Sequence, residues 1–269
     1  MQYLEEIRGY SDLTVKSYDE VITQALLYIE ILVEDDKTIF NLMPYRIQIA
    51  QLNPKTISKK LSAIRSFVKY LNDNNMNIDI KADDSIKVAK TLPKPIAHKY
   101  IVEALEYADS YESLVVTMLY TLGLRISELC TMKLEDISEK WVRVLGKGNK
   151  QRDIPLLSST RELIDEYLKL NSQKKFLFER NDERLSENSL RYTVNKVFKR
   201  VGLKVTPHQL RHSYATELLN NNASISDVSE LMGHSSMATT QIYTKLGNAL
   251  KKQNYIKAHP LMSKSSDVK

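Results

Sequence analysis

The sequence predicts a mainly α-helical protein with two domains, and three observations support this fold class. Glycine is scarce, with 7 residues in 269. Long stretches place apolar residues every three or four positions, the period of a helix with one buried face. Pro93 and Pro95 interrupt this pattern, because proline cannot continue a helix. At about 150 residues per domain, the length allows one large or two modest domains, and a hydrophobic content of 42% can fill their cores.

The first predicted domain covers residues 1–88 and is helical. Its first helix is expected within residues 14–32, where one apolar stripe is formed by Val15, Tyr18, Ile22, Ala25, Ile29 and Leu32. A second helix is expected from about Lys55 to Leu71, with an inner face of Ile57, Leu61, Ile64, Val68 and Leu71. Its opposite face carries Lys55, Lys59 and Lys69. This basic face has two interpretations, a solvated surface or a surface that contacts phosphate groups.

Residues 89–97 are predicted to form a linker, and residues 98–269 a second, α-rich domain. Helical periodicity resumes near Lys99, and a helix that ends at Leu122 is followed by Gly123, a residue typical of helix C-caps. Another helix is expected in the segment LRISELCTM that follows. One small β-hairpin is predicted over residues 141–156, with Lys147 at its tip. It consists of the alternating segment WVRVL, the turn GKGN and the extended segment KQRDIPL. This hairpin is the single strand signal that we identify.

The stretch PHQLRHSY places two histidines and an arginine, His208, Arg211 and His212, near the predicted start of a helix. Thr206 is expected as N-cap, Pro207 as the first helical residue, and Gln209 as the partner that completes a capping box. His208 and Arg211 then share one face of the first turn. A cation at this end opposes the helix macrodipole, so a bound phosphate would stabilise Arg211. The alternative is a surface arginine beside a satisfied histidine.

A zinc site is a second interpretation of this helix. His208 and His212 are four residues apart, as in a metalloprotease helix. The glutamate of that motif is replaced by Gln209, and no nearby pair of cysteines or aspartates completes a ligand set. We therefore expect no metal here.

The segment after this helix predicts a helix that ends at Gly233, then His234, then a short helix that ends near Tyr243. Two helices joined by a tight turn also describe a helix-turn-helix DNA reader. The second helix offers little base-reading chemistry, which weakens that alternative. Farther upstream, Arg125 and Glu128 are three residues apart and would by themselves form an ordinary ion pair within one helix.

Composition favours a soluble, cytoplasmic protein and is compatible with an anionic partner such as nucleic acid, although many basic proteins bind no polyanion. Lys and Arg outnumber Asp and Glu by 39 to 33, which gives a net charge of +6 and an isoelectric point near 9.1. The single cysteine, Cys130, rules out an internal disulfide. The start MQYLEEIRGY lacks the order of a signal peptide. The best apolar run, residues 114–124, is shorter than the roughly 18 residues of a membrane span.

Six residues occur in an order that resembles the tyrosine recombinase (phage integrase) family. They are Arg125 in GLRISEL, Lys147 in GKGNKQR, His208 and Arg211 in HQLRH, His234 in MGHSS, and Tyr243. The match runs from residue 123 to residue 243, and its length, hairpin and short ending look most like the Xer-type recombinases of bacteria and archaea. The resemblance implies a two-domain clamp around DNA, with a helical N-terminal core-binding domain and an α-rich catalytic domain. The implied role is resolution of chromosome dimers, and hence chromosome partition at cell division.

The resemblance also implies a chemistry for these residues, with Glu128 in support. Tyr243 would attack a DNA phosphodiester and form a 3′-phosphotyrosyl link, and Lys147 would protonate the leaving 5′-oxygen. Arg125 and Arg211 would hold the non-bridging oxygens as planar, permanently charged forks, and the two histidines would complete this clamp. Because the covalent link keeps the bond energy, neither ATP nor a metal cofactor is expected.

The implied partners are double-stranded DNA and further recombinase subunits. Four subunits would act on two DNA sites, as identical copies or with a second recombinase, and with or without an accessory activator. Residues 246–258 could form a tail helix that docks on the neighbouring subunit or caps its own domain. Two other functions stay open: a mobile-element integrase or topoisomerase with the same chemistry, and a non-catalytic, sequence-specific DNA-binding factor.

Overall fold

The computed structural model describes residues 12–34, 37–88, 94–146 and 150–233. The chain divides into two compact units, Met1–Thr91 and Leu92–Lys269. Helices dominate both, which confirms the predicted mainly α fold class. The finer division into residues 1–88, a linker and residues 98–269 stays a prediction, because part of that linker lies outside the described ranges.

The N-terminal unit contains α1 (Asp12–Leu26), β1 (Glu30–Glu34), β2 (Lys37–Asn41), α2 (Met43–Ile49), α3 (Pro54–Asp73) and β3 (Ile78–Lys81). The first helix is shorter than predicted, since the chain leaves the helix after Leu26 and residues 30–34 form a strand. The segment EILVE contains branched side chains that suit a strand. It pairs antiparallel with β2, with Glu30 opposite Asn41 and Glu34 opposite Lys37. This pairing outweighs the helical period of the stripe.

The N-terminal unit holds a sheet that the sequence did not predict. Its strand order is β1-β2-β3, and β2 and β3 run parallel, with Thr38 opposite Ile78. A parallel pair requires a long crossover, here the two helices α2 and α3, so no local turn signals it. The interpretation of the 141–156 hairpin as the single strand signal is therefore wrong.

Helix α3 confirms the second predicted helix. The Asn53 side chain caps it by accepting a hydrogen bond from the Lys55 N–H at 2.9 Å, and Pro54 follows in the first turn. Its buried face includes Ile57, Leu61, Ile64 and Val68. Lys55, Lys59 and Lys69 are exposed, so the predicted basic face points away from the core of this unit.

The C-terminal unit contains α4 (His98–Glu106), α5 (Ser110–Thr121), α6 (Ile126–Thr131), β4 (Trp141–Leu145), β5 (Gln151–Pro155), α7 (Ser158–Leu170), β6 (Glu179–Arg180), β7 (Glu183–Arg184), α8 (Glu187–Arg200), α9 (Pro207–Asn220) and α10 (Ile225–Met232). Helix α5 lies at the centre, packed against α7, α8 and α9. Its fully buried apolar residues cover slightly more than half of the circumference, which suits a helix packed against several neighbours: Leu114, Val115, Val116, Met118 and Leu119.

A buried carboxylate links α5 to α8. Glu112 and the N-cap residue Asp109 form a reciprocal capping box at the start of α5. The same carboxylate contacts Lys196 at 2.8 Å and accepts a hydrogen bond from Arg200 at 2.9 Å, both on α8. Because Glu112 is only 2% exposed, these two cations supply the charge compensation that a buried carboxylate requires.

Strands β4 and β5 confirm the predicted hairpin. They pair antiparallel from Trp141–Pro155 to Leu145–Gln151. Its predicted tip residue, Lys147, lies outside the described residues. A second, smaller hairpin of β6 and β7 was not predicted.

Helix α9 begins and helix α10 ends where the sequence predicts. The Thr206 hydroxyl accepts the Gln209 N–H at 3.3 Å, and the Gln209 side chain accepts the Thr206 N–H at 3.0 Å. Helix α10 ends at Gly233, whose φ of +60° is left-handed. The predicted helix before Tyr243 and the tail helix lie outside the described residues. Across the described ranges, no helix is both long enough and apolar enough to span a bilayer.

Candidate active site

Glu128 lies at the centre of a cluster of arginines in the C-terminal unit. It occupies the first turn of α6, where its carboxylate accepts the backbone N–H of Arg125 at 2.7 Å. The same carboxylate accepts a hydrogen bond from Arg125 Nη1, also at 2.7 Å. The Glu128 side chain is 4% exposed and that of Arg125 is 36% exposed. The pair is therefore more than the ordinary helical ion pair that the spacing suggests, since the carboxylate is buried and the guanidinium reaches solvent.

Arg152 on β5 approaches the same carboxylate from the hairpin. Its Nη1 and Nη2 donate to Glu128 Oε1 and Oε2 at 2.9 and 2.8 Å, in a two-bond fork. Its Nε donates to the Leu231 carbonyl at 2.8 Å. This side chain is 7% exposed. The hairpin, α6 and the end of α10 therefore meet at a single guanidinium.

Arg211 lies on the other side of Glu128, in the first turn of α9. It is 3% exposed, and its Nη1 is 3.7 Å from Glu128 Oε2. Its two terminal nitrogens donate to the carbonyls of Gly123 and Met232. The alternative of a surface arginine is thus wrong. The unfavourable position of Arg211 at the start of a helix is compensated within the protein, because these carbonyls lie at the C-terminal ends of α5 and α10.

The end of α10 is held by three different arginines. The carbonyl of Leu231 accepts from Arg152 and that of Met232 from Arg211. The carbonyl of Gly233 accepts from Arg125 Nη2 at 3.2 Å. Helix C-termini leave such carbonyls without partners in the helix, so the arginines satisfy them. The residue that follows Gly233 in the chain is His234.

The cluster carries an excess of positive charge. Within the described residues, three guanidiniums surround one carboxylate, which leaves a net charge of two. Burial by itself would raise the pKa of Glu128, but the hydrogen bonds from Arg152 and the nearby charges of Arg152 and Arg125 hold it below its usual value. Glu128 is therefore ionised at neutral pH, and the remaining positive charge favours an anion.

A cleft of about 290 Å³ opens beside this cluster and is the natural place for an anion. Its wall includes Arg125, His208 and Arg211 together with Arg191 and Asn195 of α8. His208 is exposed at the start of α9. Partial desolvation, followed by the charges of Arg211 and Arg125, lowers the pKa of this imidazole. Before an anion arrives, His208 is thus mainly neutral at pH 7.

The geometry gives no support for zinc on α9. His212 is buried, whereas His208 faces the cleft. Over the described ranges, no three His, Cys, Asp or Glu residues are grouped so that they could hold a metal ion.

The structure brings together four of the predicted site residues: Arg125, Glu128, His208 and Arg211. The other three, Lys147, His234 and Tyr243, lie outside the described residues. The chain nonetheless leads toward the cluster at two points. A Cβ placed on Gly146, the residue before Lys147, would lie 3.9 Å from Glu128 Oε1. Gly233, the residue before His234, contacts Arg125.

Sequence reasoning missed Arg152, although a signal was present. The period of a strand places Arg152 and Ile154 on the same face of β5. Arg152 pairs across the hairpin with Val144 and Ile154 pairs with Val142, and the three apolar residues are buried. An arginine on the inner face of a strand demands an internal partner, and Glu128 is that partner.

Comparisons with known proteins agree with this site. The phage integrase family matches residues 96–249, more than half of the chain. The tyrosine recombinase XerC of Bacillus pumilus (strain SAFR-032) is 31% identical over 298 aligned positions, which cover 99% of this chain and 96% of that protein.

Solved structures show the same fold. The crystal structure of XerA recombinase matches with a TM-score of 0.55 and 25% identity, over 96% of this chain and 97% of that one. The lambda integrase tetramer bound to a Holliday junction matches with a TM-score of 0.68 and 17% identity, over 88% of this chain and 72% of that one. The second likeness concerns the fold alone. From the arginine cluster, the family match and the full-length relative together, we conclude that this chain belongs to the phage integrase family of tyrosine recombinases.

Proposed function

We propose that this protein is a site-specific recombinase that cuts and rejoins duplex DNA through a 3′-phosphotyrosyl intermediate. The observation that carries the proposal is the cleft in which Arg125, His208 and Arg211 share one wall. Their charges exceed that of the single carboxylate between them, and the cleft is open to a ligand. A phosphodiester fits this arrangement, since its two non-bridging oxygens match guanidinium forks.

In the proposed reaction, the Tyr243 oxygen attacks phosphorus and the bond to the 5′-oxygen of the next nucleotide breaks. Lys147 gives a proton to that leaving oxygen, and His208, neutral before binding, is suited to help move the tyrosine proton. Arg125 and Arg211, with His234, stabilise the charge that develops on the non-bridging oxygens. The free 5′-hydroxyl of a second strand then reverses the attack on the phosphotyrosine. Every bond broken is replaced by one of similar energy, so the route needs neither ATP nor metal.

We propose that the partner is double-stranded DNA, bound by both units of the chain. Lys55, Lys59 and Lys69 on the exposed face of α3 are candidate backbone contacts in the N-terminal unit. Four subunits would act on two DNA sites, as identical copies or with a second recombinase, and with or without an accessory activator. The solved lambda integrase tetramer on a Holliday junction supports this stoichiometry by fold. The protein would act on chromosomal DNA in the cytoplasm.

Among recombinases, an Xer-type role in resolving chromosome dimers is best supported. The relative that matches along the whole chain carries the name XerC. A mobile-element integrase would use the same residues, and the DNA that becomes attached distinguishes the two functions. Recovery of a single chromosomal locus near the replication terminus would support dimer resolution, whereas recovery of the ends of an element would support an integrase.

Covalent trapping tests the proposed chemistry. The protein is incubated in EDTA with nicked genomic fragments, denatured, and assayed for attached DNA, which is then sequenced. The wild type should form an adduct that Tyr243→Phe abolishes while DNA binding persists. Tyr107→Phe, which removes an exposed hydroxyl in the same unit, should leave the adduct intact. An adduct that survives Tyr243→Phe would overturn the assignment of the nucleophile.

The same assay tests the arginine clamp. Arg125→Lys and Arg211→Lys should each slow single-turnover cleavage on the order of 10²-fold, because a lysine provides one charge without the fork. If the variants bind DNA fragments more weakly but cleave bound DNA at the wild-type rate, these arginines position the DNA and do not stabilise the transition state. Salt-dependent binding without any adduct in the wild type would instead favour a non-catalytic DNA-binding factor.

A further inference from the structure

Arg152 contacts three parts of the candidate site at once. Its own strand, β5, belongs to the hairpin whose two strands precede and follow Lys147 in the chain. Its Nη1 and Nη2 hold both oxygens of Glu128, the carboxylate shared with Arg125 and Arg211. Its Nε holds the Leu231 carbonyl, at the end of α10 and three residues before His234.

Arg152 differs from Arg125 in what it leaves for a ligand. All three of its guanidinium nitrogens donate to acceptors within the protein, and its side chain is 7% exposed. Arg125 is 36% exposed and lines the cleft beside His208. Arg152 does not line that cleft; it lines a second, larger cleft together with Arg125 and Gly233, but with its guanidinium nitrogens already engaged. Its geometry therefore serves the arrangement of other groups and not direct contact with phosphate.

The carboxylate of Glu128 depends on Arg152 for its orientation. Arg152 approaches as a fork with two bonds, whereas Arg125 uses one nitrogen and Arg211 stands 3.7 Å away. A fork fixes the plane of a carboxylate, which a single bond does not. The hydrogen bonds from Arg152 also contribute most to keeping the pKa of Glu128 below its usual value against the effect of burial.

The packing around Gly233 leaves little freedom for this arrangement to change. A Cβ placed on Gly233 would lie 3.0 Å from Arg152 Nη1 and 3.2 Å from its Cδ. The turn at the end of α10 is thus close to the Arg152 side chain at Gly233 and hydrogen-bonded to it two residues earlier, at Leu231. Any displacement of Arg152 is transmitted to the point from which the chain continues to His234.

We propose that Arg152 is a positioning residue that fixes the hairpin, Glu128 and the end of α10 in one arrangement. This inference rests on the proposed recombinase function. In this arrangement Glu128 aligns the clamp arginines, and the chain continues to Lys147 and His234 from Gly146 and Gly233, which lie beside the same cluster. Misplacement of catalytic groups by about 1 Å can slow a reaction about 10²-fold, so loss of Arg152 acts on the chemical step.

Single-turnover cleavage and equilibrium DNA binding, measured on the full chain, test this role. Arg152→Met keeps much of the buried volume but removes all three hydrogen bonds. It should slow cleavage about 30- to 100-fold while the dissociation constant for the same DNA changes less than about threefold. Arg152→Lys, which keeps the charge and reaches fewer acceptors, should lie between the wild type and Arg152→Met. Arg161→Met is the matched control, because Arg161 forms an ion pair with Asp165 on α7, and it should cleave at the wild-type rate.

A double-mutant cycle with Glu128→Gln separates positioning from a general loss of stability. If Arg152 acts through Glu128, the double variant should cleave no more than about threefold slower than the slower single variant. If the two reductions multiply instead, or if Arg152→Met weakens binding as much as cleavage, the inference is overturned. If the wild-type protein forms no adduct with DNA, the proposed function fails. That result comes from covalent trapping and is distinguishable from a failure of the positioning role, which the double-mutant cycle reports.

A measurement without DNA tests the structural part of the inference independently of activity. Arg152→Met should speed hydrogen exchange of the backbone amides of α10 at least about tenfold, and leave those of α5 unchanged. Equal exchange of α10 in both proteins would show that Arg152 does not hold this helix end, and would overturn the inference even in an active recombinase.

Discussion

Replacing Glu112 by glutamine should destabilise the C-terminal unit, and the loss should depend on pH. Lys196 and Arg200 surround this buried carboxylate. The hydrogen bond from Arg200 is the main cause that lowers the pKa of Glu112 from 4.5 to about 2, with burial acting in the opposite direction. Glutamine is also a good partner in a capping box, so the start of α5 is preserved and only the charge is lost.

The size of the effect follows from this pKa. A fall from 4.5 to about 2 corresponds to about 3 kcal/mol at 1.36 kcal/mol for each pH unit. The Lys196 and Arg200 side chains are 49% and 32% exposed, and solvent screening reduces the value to about 1–2 kcal/mol at pH 7. Because the folded-state pKa is the lower one, this stability is present above pH 4.5 and is lost as the pH falls toward 2. Wild type and Glu112→Gln should therefore converge in acid.

Urea unfolding followed by tryptophan fluorescence measures this difference, because the fluorescence reports on the C-terminal unit. The chain has one tryptophan, Trp141, on β4 of the C-terminal unit. With a slope of about 2 kcal/mol per molar urea, the midpoint should fall by about 0.5–1 M at pH 7 and by less than half of that at pH 3. Glu103→Gln, which removes an exposed carboxylate of α4, is the control and should shift the midpoint little. A deficit of the same size at pH 7 and pH 3 would refute the electrostatic reasoning.

Two further predictions concern the candidate site. Gly123→Ala should destabilise the C-terminal unit by about 2–4 kcal/mol, because Gly123 has a φ of +58° and a Cβ there would lie 2.3 Å from the buried Tyr214 ring. Gly202 also has a left-handed backbone, with a φ of +72°, but the space around a Cβ there is open. The control Gly202→Ala should therefore lower the free energy of unfolding by only about 1 kcal/mol. Equal losses for the two variants in urea unfolding would show that the contact with Tyr214 is unimportant. The His208 imidazole should titrate below the usual pKa of 6.5 in free protein, because of desolvation and the charges of Arg211 and Arg125. An NMR titration should show this pKa rising when DNA binds, since a phosphate favours the protonated ring, and an unchanged pKa would contradict the placement of phosphate beside His208.

Local signals account for the parts of the fold that the sequence predicted correctly. The start of α9 is fixed by Thr206, Pro207 and Gln209, and the end of α10 by Gly233, all within one turn of the boundary. The strands of the N-terminal unit lack such local signals, and the sequence did not predict them. Residues 30–34 fit both a helical stripe and a strand, and pairing with β2 decides between them.

In the candidate site, too, local sequence patterns do not predict contacts between distant segments. The order of the family residues indicates which side chains matter, but burial depends on contacts between distant segments. Arg211 is buried because the carbonyls of Gly123 and Met232 receive it, from 88 and 21 residues away in the chain. Arg152 on β5 likewise bonds to Glu128 on α6 and to the Leu231 carbonyl on α10, contacts between distant segments that no local spacing records. The roles of Lys147, His234 and Tyr243 stay predictions.

The helix ends around Arg211 bear on the charge that the cleft offers to an anion. A helix C-terminus acts as about half a negative charge, and the carbonyls that Arg211 contacts end α5 and α10. The starts of α6 and α9 lie at the same cluster and act in the opposite sense, as about half a positive charge each. Within the described residues these four helix ends therefore cancel, and the two excess positive charges of the cluster stay available to an anion in the cleft.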